Sequence, residues 1–321
     1  MRILLTGAAG FIGSHLAEAL LDLGHAVKGV DCLTNAYPRQ LKELNLSQLV
    51  NKGLEFGNVD LANADLRSIC EGVDVVYHLA AQPGISASVP FDTYVRNNIV
   101  ATQRILGAAG DSSDLRGFVN ISTSSVYGAD ATGPESAVPQ PTSYYGVSKL
   151  AGEQLALSYY RERGFPACSM RLFSVYGPRE RPEKLYPKLI GSILEGRPFP
   201  MREGSEAHVR SFTYVSDIVG GLVAVLDNLD VVVGEIFNIG TDVAITTAEG
   251  VKIVEQIIGT KAKIEMKPAL PGDQMRTKAN IDKARAKLDY NPATSAEEGL
   301  AKAVDWYRQF ILGKIDLWSD R

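Results

Sequence analysis

The chain has 321 residues, with 33 Lys plus Arg against 37 Asp plus Glu, a formal net charge of -4 and 45% hydrophobic residues. That length suffices for about two domains with a large buried core, and the weakly negative balance leaves no global basic field for nucleic acid or an anionic membrane surface. Cys32, Cys70 and Cys168 stand without a CxxC pair or metal-ligand spacing, which argues against disulfide staples and structural zinc.

The first residues run straight into an apolar strand rather than a signal-peptide pattern. No uncharged apolar stretch approaches the ~20 residues that span a bilayer, so a cytoplasmic protein with no membrane partner is expected. Apolar runs at Ile3 to Leu5, Ala26 to Val30, Val73 to Leu79, Phe118 to Ile121 and Ala167 to Leu172 alternate with longer helical patterns. These patterns fall near residues 11–23, 62–70, 91–109, 143–163 and 216–227. Repeated strand-helix units predict an α/β fold with a doubly wound parallel sheet. Residues 178–210 are rich in Pro, Arg and Glu, and amphipathic patterns recur near 281–288 and 296–311. The shift predicts a smaller α/β lobe: residues 1–172 with about 211–240 form the dinucleotide-binding unit, and about 173–210 with 241–321 form the substrate lobe.

Gly7, Gly10 and Gly13 fall between the first strand and the first helix. Missing side chains there permit a tight turn, close approach of backbone to a pyrophosphate and close helix-strand packing. Asp31 follows at the end of the second strand, where a carboxylate binds ribose hydroxyls and repels a 2'-phosphate. With no arginine immediately after Asp31, and only Lys28 nearby, NAD is the expected cofactor. Asp60, with Leu61, follows a third strand and either meets adenine or caps a helix.

Tyr145 and Lys149 lie one helical turn apart, so both side chains share a helix face. An ammonium there is expected to hold the phenol partly ionised, although free tyrosine titrates near pH ~10. Tyr144, with no lysine four residues on, reads as a packing residue. The four histidines show no HxxxH spacing, and His15 and His25 read as packing or capping residues, so no metal is assigned. The serines around Tyr127 lack a nucleophile-elbow pattern and read as sugar or cofactor contacts.

The motifs TGAAGFIGSHL at 6–16, HLAA at 78–81, Asn98, STSSVYG at 122–128, YYGVSK at 144–149 and RLFSVYGPR at 171–179 occur in this order. As an ordered set covering the chain, they resemble the extended short-chain dehydrogenase/reductase family and, within it, the nucleotide-sugar epimerases and dehydratases. The resemblance implies a Rossmann fold, bound NAD and a homodimer. It also implies Tyr145 as catalytic base, Lys149 as ribose ligand and tuner, and Thr123 as partner of the reacting sugar hydroxyl. Phe11, Ile12, Asn35, Leu79, Ala80, Ala81 and Asn98 are implied to line the cofactor with the glycines, Asp31, Asp60 and Leu61.

Dehydratases of the family carry an Asp-Glu pair where this chain has Ser124 and Ser125, and related decarboxylases resemble a pattern with Glu at Ser125. Elimination and decarboxylation are therefore disfavoured. The resemblance implies C4 epimerisation through a 4-keto sugar, with Ser124 and Ser125 facing the substrate. Glucuronate epimerases resemble the chain at Asp31 to Tyr37 and carry Thr at Ser174, a position that leaves a small hydroxyl beside a carboxylate. Arg181 could hold that carboxylate as a bidentate pair, which points to interconversion of UDP-glucuronate and UDP-galacturonate. Arg210 resembles a diphosphate ligand and Asp273 a ribose ligand, with Arg276 assisting. Three departures leave neutral UDP-hexoses and UDP-N-acetylhexosamines open: Ser86 in place of Arg, Ser211 in place of Asp, and a dehydratase-like Pro182-Glu183-Lys184-Leu185. A non-catalytic NAD sensor is the reading from another class, and it should have lost the Tyr-Lys pair.

Overall fold

The computed structural model describes residues 1–86, 88–112, 114–269 and 276–317. Seven strands form one parallel sheet: β1 (Arg2–Thr6), β2 (Ala26–Asp31), β3 (Glu55–Asn58), β4 (Val75–His78), β5 (Gly117–Thr123), β6 (Ala167–Leu172) and β7 (Ile236–Ile239). Their order is β7-β6-β5-β4-β1-β2-β3, with every neighbouring pair parallel. The chain winds to one edge at β3 and returns beside β1 at β4. Ligands of such sheets bind in the crevice outside the carboxyl ends of the strands at this switch point.

Apart from the edge strand β3, the sheet is largely buried on both faces, which is why most of its strands read as apolar runs. In β1, Ile3 and Leu5 enter one apolar cluster and Leu4 enters the other, as strand alternation requires. Helices α1 (Phe11–Asp22), α2 (Arg39–Asn51), α3 (Ala101–Gly110) and α4 (Tyr144–Arg163) cover the faces. The predicted helix at 91–109 is composite: an α turn at Phe91–Tyr94 and a π segment at Val95–Val100 precede α3. The predicted helix near 62–70 is only the single turn Arg67–Cys70.

Four further helices are α5 (Leu185–Leu194), α6 (Val215–Val223), α7 (Thr247–Ile258) and α8 (Ala296–Phe310). The Pro-, Arg- and Glu-rich stretch thus contains α5. Pro187 falls within its first turn, where proline's missing N–H goes unmissed. α7 starts with a capping box between Thr246 and Glu249. A small sheet joins Ile245–Thr246, Val209–Arg210, Arg276–Thr277 and Asp130–Ala131 in that order.

The loop after β6 is strapped to the first helices. Arg179, at a positive φ of 68°, donates through Nη2 to Glu18 Oε2 at 2.8 Å and Gln48 Oε1 at 3.1 Å. His15 Nε2 donates to the Pro178 carbonyl at 2.9 Å. Burial, reinforced by the Arg179 charge, pushes His15 down to about 4, and burial pushes His78 down to about 3, against an ordinary value of 6.5. The unfolded chain therefore binds more protons than the folded one between those values. The stabilisation is complete above pH 6.5 and is lost as pH falls toward about 4. Urea unfolding should show the stability falling across this window, with a shallower fall in His15→Gln; identical slopes in the two proteins would contradict it.

Candidate active site

Thr6, Asp31, His78 and Thr123 are the last residues of β1, β2, β4 and β5, so one edge of the sheet carries them all. Gly7 continues β1 at a φ of 74°, and a β-carbon on it would lie 2.8 Å from the Ala80 nitrogen and 3.0 Å from the Leu79 carbonyl carbon. A β-carbon on Gly13 would lie 2.1 Å from the Gly7 oxygen. Gly10 caps α1 without a side-chain hydrogen bond, so no side chain occupies the donors of the first turn, where a pyrophosphate is well placed. Phe11 and Ile12 open that turn half-buried, and Leu79, Ala80 and Ala81 are half-buried across the crevice. The Thr6 hydroxyl ties the two sides together, accepting from the Ala80 N–H at 3.1 Å and meeting His78 Nδ1 at 2.9 Å.

Asp31 is buried and accepts from the Leu33 N–H at 2.7 Å. Its other neighbour is Lys42 of α2, whose Nζ lies 3.5 Å from Oδ1 and donates to Thr34 Oγ1 at 3.3 Å. The sequence reading missed this cation, which returns from 11 positions downstream with only a polar helix pattern to announce it. Asn35 is exposed in the intervening loop. Asp60 is ion-paired with Arg96 and accepts from the Ala62 N–H at 3.0 Å. Burial would raise its carboxyl, but Arg96 and Ala62 outweigh that and hold it below the ordinary range. Leu61 is buried in the core, with its carbonyl on Arg104 Nε at 3.0 Å.

Asn98 spends its side chain internally: Oδ1 accepts from the Gln82 N–H at 2.6 Å, and Nδ2 donates to the Gln82 carbonyl at 3.2 Å and to Ser148 Oγ at 2.9 Å. It therefore fastens the loop after β4 to α4, and any cofactor role runs through that positioning. The π segment places it there.

Ser143 caps α4, its hydroxyl accepting from the Gly146 N–H at 3.1 Å. Gly146 lets the helix approach the end of β5, since a β-carbon there would lie 2.7 Å from the Ser125 carbonyl. That approach brings Tyr145 to Thr123, which is hydrogen-bonded to its hydroxyl. Thr123 also meets Ser125 Oγ at 3.3 Å, and its Oγ1 accepts from the Ser125 N–H at 3.2 Å. Ser124 is buried and Ser125 half-buried beside it. Tyr144 packs its ring 4.9 Å from that of Phe91, at the surface rather than in the core, since it is 60% exposed.

The expectation of a pre-ionised phenol is corrected. Burial raises Tyr145 above the ordinary value for tyrosine, and the Thr123 hydrogen bond and the Arg181 charge only partly offset this. Lys149 is not among the groups that act on the phenol, and burial acts on it as well, pushing it down to about 8 against the pull of Glu153. Helical spacing puts two side chains on one face but says nothing of what desolvation costs each.

Arg181 approaches the same spot from the loop after β6. Its Nη2 lies 3.0 Å from where a β-carbon of Gly84 would sit, and the Lys184 Nζ lies 3.5 Å from that point. The Gly84 carbonyl accepts from the Tyr94 hydroxyl at 2.8 Å, and the Tyr94 ring lies 6.4 Å from that of Tyr145. Arg181 is already paired with Glu183 at 2.9 Å. Burial lowers Lys184, with the Arg181 and Arg210 charges also acting to lower it, so these three cations share a field. Glu180 is buried among them and burial raises it to about 8, with Oε2 lacking a hydrogen-bond partner. The sequence reading found Arg181 and Arg210; it named Lys184 only within a dehydratase-like segment, without a role, and missed Glu180 and Tyr94, which no local motif marks. Ser174 is half-buried just after β6, and Arg276 is exposed in the strand beside Val209–Arg210. Asp273 lies outside the described residues.

The glycine cradle and Asp31 fit a dinucleotide, and the Thr123, Tyr145 and Lys149 group lies on the same sheet edge. These features define a dinucleotide-binding fold with a hydroxyl-handling group at the same end of the sheet, and the comparisons agree. Residues 3–240 match the NAD dependent epimerase/dehydratase family, and the chain belongs to that family. It is 41% identical over 98% of its length, and 100% of the relative's, to the uncharacterized UDP-glucose epimerase YtcB of Bacillus subtilis. It is 36% identical over 96% of each chain to a UDP-glucuronate 4-epimerase of Thermodesulfobacterium geofontis. Its fold superposes with a TM-score of 0.92 on the UDP-glucuronic acid 4-epimerase of Bacillus cereus, solved with UDP-glucuronic acid and NAD, at 39% identity over 96% of this chain and 99% of that one.

Gly13→Ala should strip the protein of dinucleotide and lower its stability by ~1–3 kcal/mol, the cost of forcing a methyl into packed backbone. The check is nucleotide content after purification together with a melting curve. Wild-type content and melting would show that the cradle does not need the glycine.

Proposed function

We propose that the protein epimerises C4 of a UDP-sugar with NAD, and that UDP-glucuronate and UDP-galacturonate are its substrate pair. The observation that carries this is the junction of the Thr123-Tyr145 hydrogen bond with the Arg181 field, in a chain with serines at 124 and 125. Bound NAD supplies a hydride acceptor that later returns the hydride. Thr123 and Tyr145 grip the C4 hydroxyl; Tyr145 takes its proton as the ketone forms and returns it to the C4 oxygen once the keto sugar has turned its other face to the hydride. Lys149 lies one turn from Tyr145 and would hold the nicotinamide ribose as an ammonium. Gly7, Gly10 and Gly13 would take the pyrophosphate, and Asp31 the adenosine ribose.

A C4 ketone next to a C5 carboxylate is a β-keto acid, which loses carbon dioxide when the carboxylate bond aligns with the carbonyl. Arg181 and Ser174 would hold that carboxylate out of alignment. Ser125 offers no acid to assist elimination. Arg210 and Arg276 are assigned to the diphosphate and nucleoside end, along with Asp273. A neutral UDP-hexose remains the second reading. It is favoured by Ser86 standing where many relatives have Arg and by the name of the Bacillus subtilis relative.

Incubation with intact UDP-sugars and product analysis by NMR should give UDP-galacturonate from UDP-glucuronate. Tyr145→Phe should lose ~10²–10⁴-fold in turnover, and Arg181→Ala should lose roughly 10–100-fold more with the uronate than with UDP-glucose, as expected for a bond to a charged group. Inert UDP-glucuronate, or a fully active Tyr145→Phe, would sink the reading.

We also propose a homodimer formed through α4, the π segment and the α turn before it, where Tyr144, Val147, Val100 and Phe91 are exposed. Light scattering should give twice the chain mass and should give the monomer for Val147→Lys; a monomeric wild type contradicts the assignment. We assign the cytoplasm as its compartment. All three cysteines are free, and no described helix is long and apolar enough to cross a membrane.

A further inference from the structure

Lys149 has a charged neighbour that the reaction above leaves unused. Glu153 lies one turn further along α4 and is fully buried. Its Oε1 accepts from Arg171 Nη2 at 2.7 Å and its Oε2 from Arg171 Nε at 2.9 Å. Arg171, at 1% exposure, donates through Nη1 to the Tyr127 hydroxyl at 2.8 Å and to the Glu135 carbonyl at 3.2 Å. Tyr127 in turn donates to Asn238 Oδ1 at 2.7 Å, so the guanidinium is fixed from several elements at once.

Such a buried pair is a weak stabiliser, and apolar side chains of similar volume often serve the fold as well. An apolar pair could not supply a fixed negative charge one turn from Lys149. Other groups facing Lys149 supply none. His78, from β4, is neutral with both ring nitrogens engaged, by Thr6 at 2.9 Å and Thr102 at 2.9 Å. Tyr145 is protonated. Arg171 is not among the groups that act on Lys149, whereas the Glu153 carboxylate is, so Lys149 faces the negative end of the pair.

We propose that Glu153, clamped by Arg171, is a positioning residue whose charge keeps Lys149 an ammonium at neutral pH beside the proposed base. The proposal rests on the function assigned above. Burial already brings Lys149 down to about 8, with Glu153 the group that resists further loss. Removing that charge moves the lysine toward neutrality at working pH.

The test is an NMR titration of the holoenzyme carrying carbon-13 at lysine Cε, with the Lys149 signal assigned by its absence in Lys149→Met. Wild-type Lys149 should be an ammonium at neutral pH. Its midpoint should fall by roughly one unit in Glu153→Gln, a tenfold loss of proton affinity, and return in Glu153→Asp. The alkaline limb of kcat/KM should move down with it. The double variant Glu153→Gln, Arg171→Met removes the orphaned guanidinium, keeps the fold and should shift Lys149 in the same direction. A Lys149 already neutral in the wild type at neutral pH, or a midpoint unmoved in a folded variant, overturns the proposal. The titration needs no sugar, so a wild type that fails to convert UDP-sugars while Lys149 titrates as described would defeat the functional reading alone.

Discussion

Desolvation at the carboxyl edge of the parallel sheet governs the chemistry of this site. It raises Tyr145 and lowers Lys149, so the resting pair is a neutral phenol beside an ammonium close to losing its proton. Neither charge state is set by the other residue alone. A base of this kind is made when positive charge arrives beside the ring, because an opposite charge within a few ångströms favours the ionised form. On the proposed reading an oxidised nicotinamide bound beside Tyr145 would be such a charge, and ionisation would then be coupled to an occupied cofactor site.

The two ends of the site are built differently. The cofactor end depends on absent side chains and on backbone: Gly7 and Gly13 leave no room for a methyl, and Thr6 and Asn98 tie the loop after β4 to the first strand and to α4. The sugar end depends on concentrated charge. Arg181, Lys184, Glu180 and Glu183 crowd near Gly84, and the loop carrying them is pinned to α1 and α2 through Arg179 and His15. On the proposed reading, substrate selectivity is set on a loop that Arg179 and His15 tie to the first helices.

The sheet, the glycine turn, Asp31 and the Tyr145-Lys149 pair were legible in the sequence because each answers to a local rule of period, turn or helical spacing. Lys42, Lys184 and the Glu153-Arg171 pair were not. Their meaning lies in partners brought together by the fold, and a lysine on a polar helix looks the same whether it faces water or a buried carboxylate. The π segment at Val95–Val100 escaped for a related reason, since its extra residue per turn serves Asn98's contacts with Gln82 and Ser148. Tyr145 lies beside Thr123, but its expected ionisation was misjudged, because spacing reports direction and burial sets energy.

The central claim is that one hydride leaves C4 and returns to the same carbon without meeting solvent. UDP-glucuronate carrying deuterium at C4 tests it most directly: the account predicts UDP-galacturonate that keeps the deuterium at C4 through turnover in ordinary water. Product with the label washed out into solvent, or moved to another carbon, would contradict it.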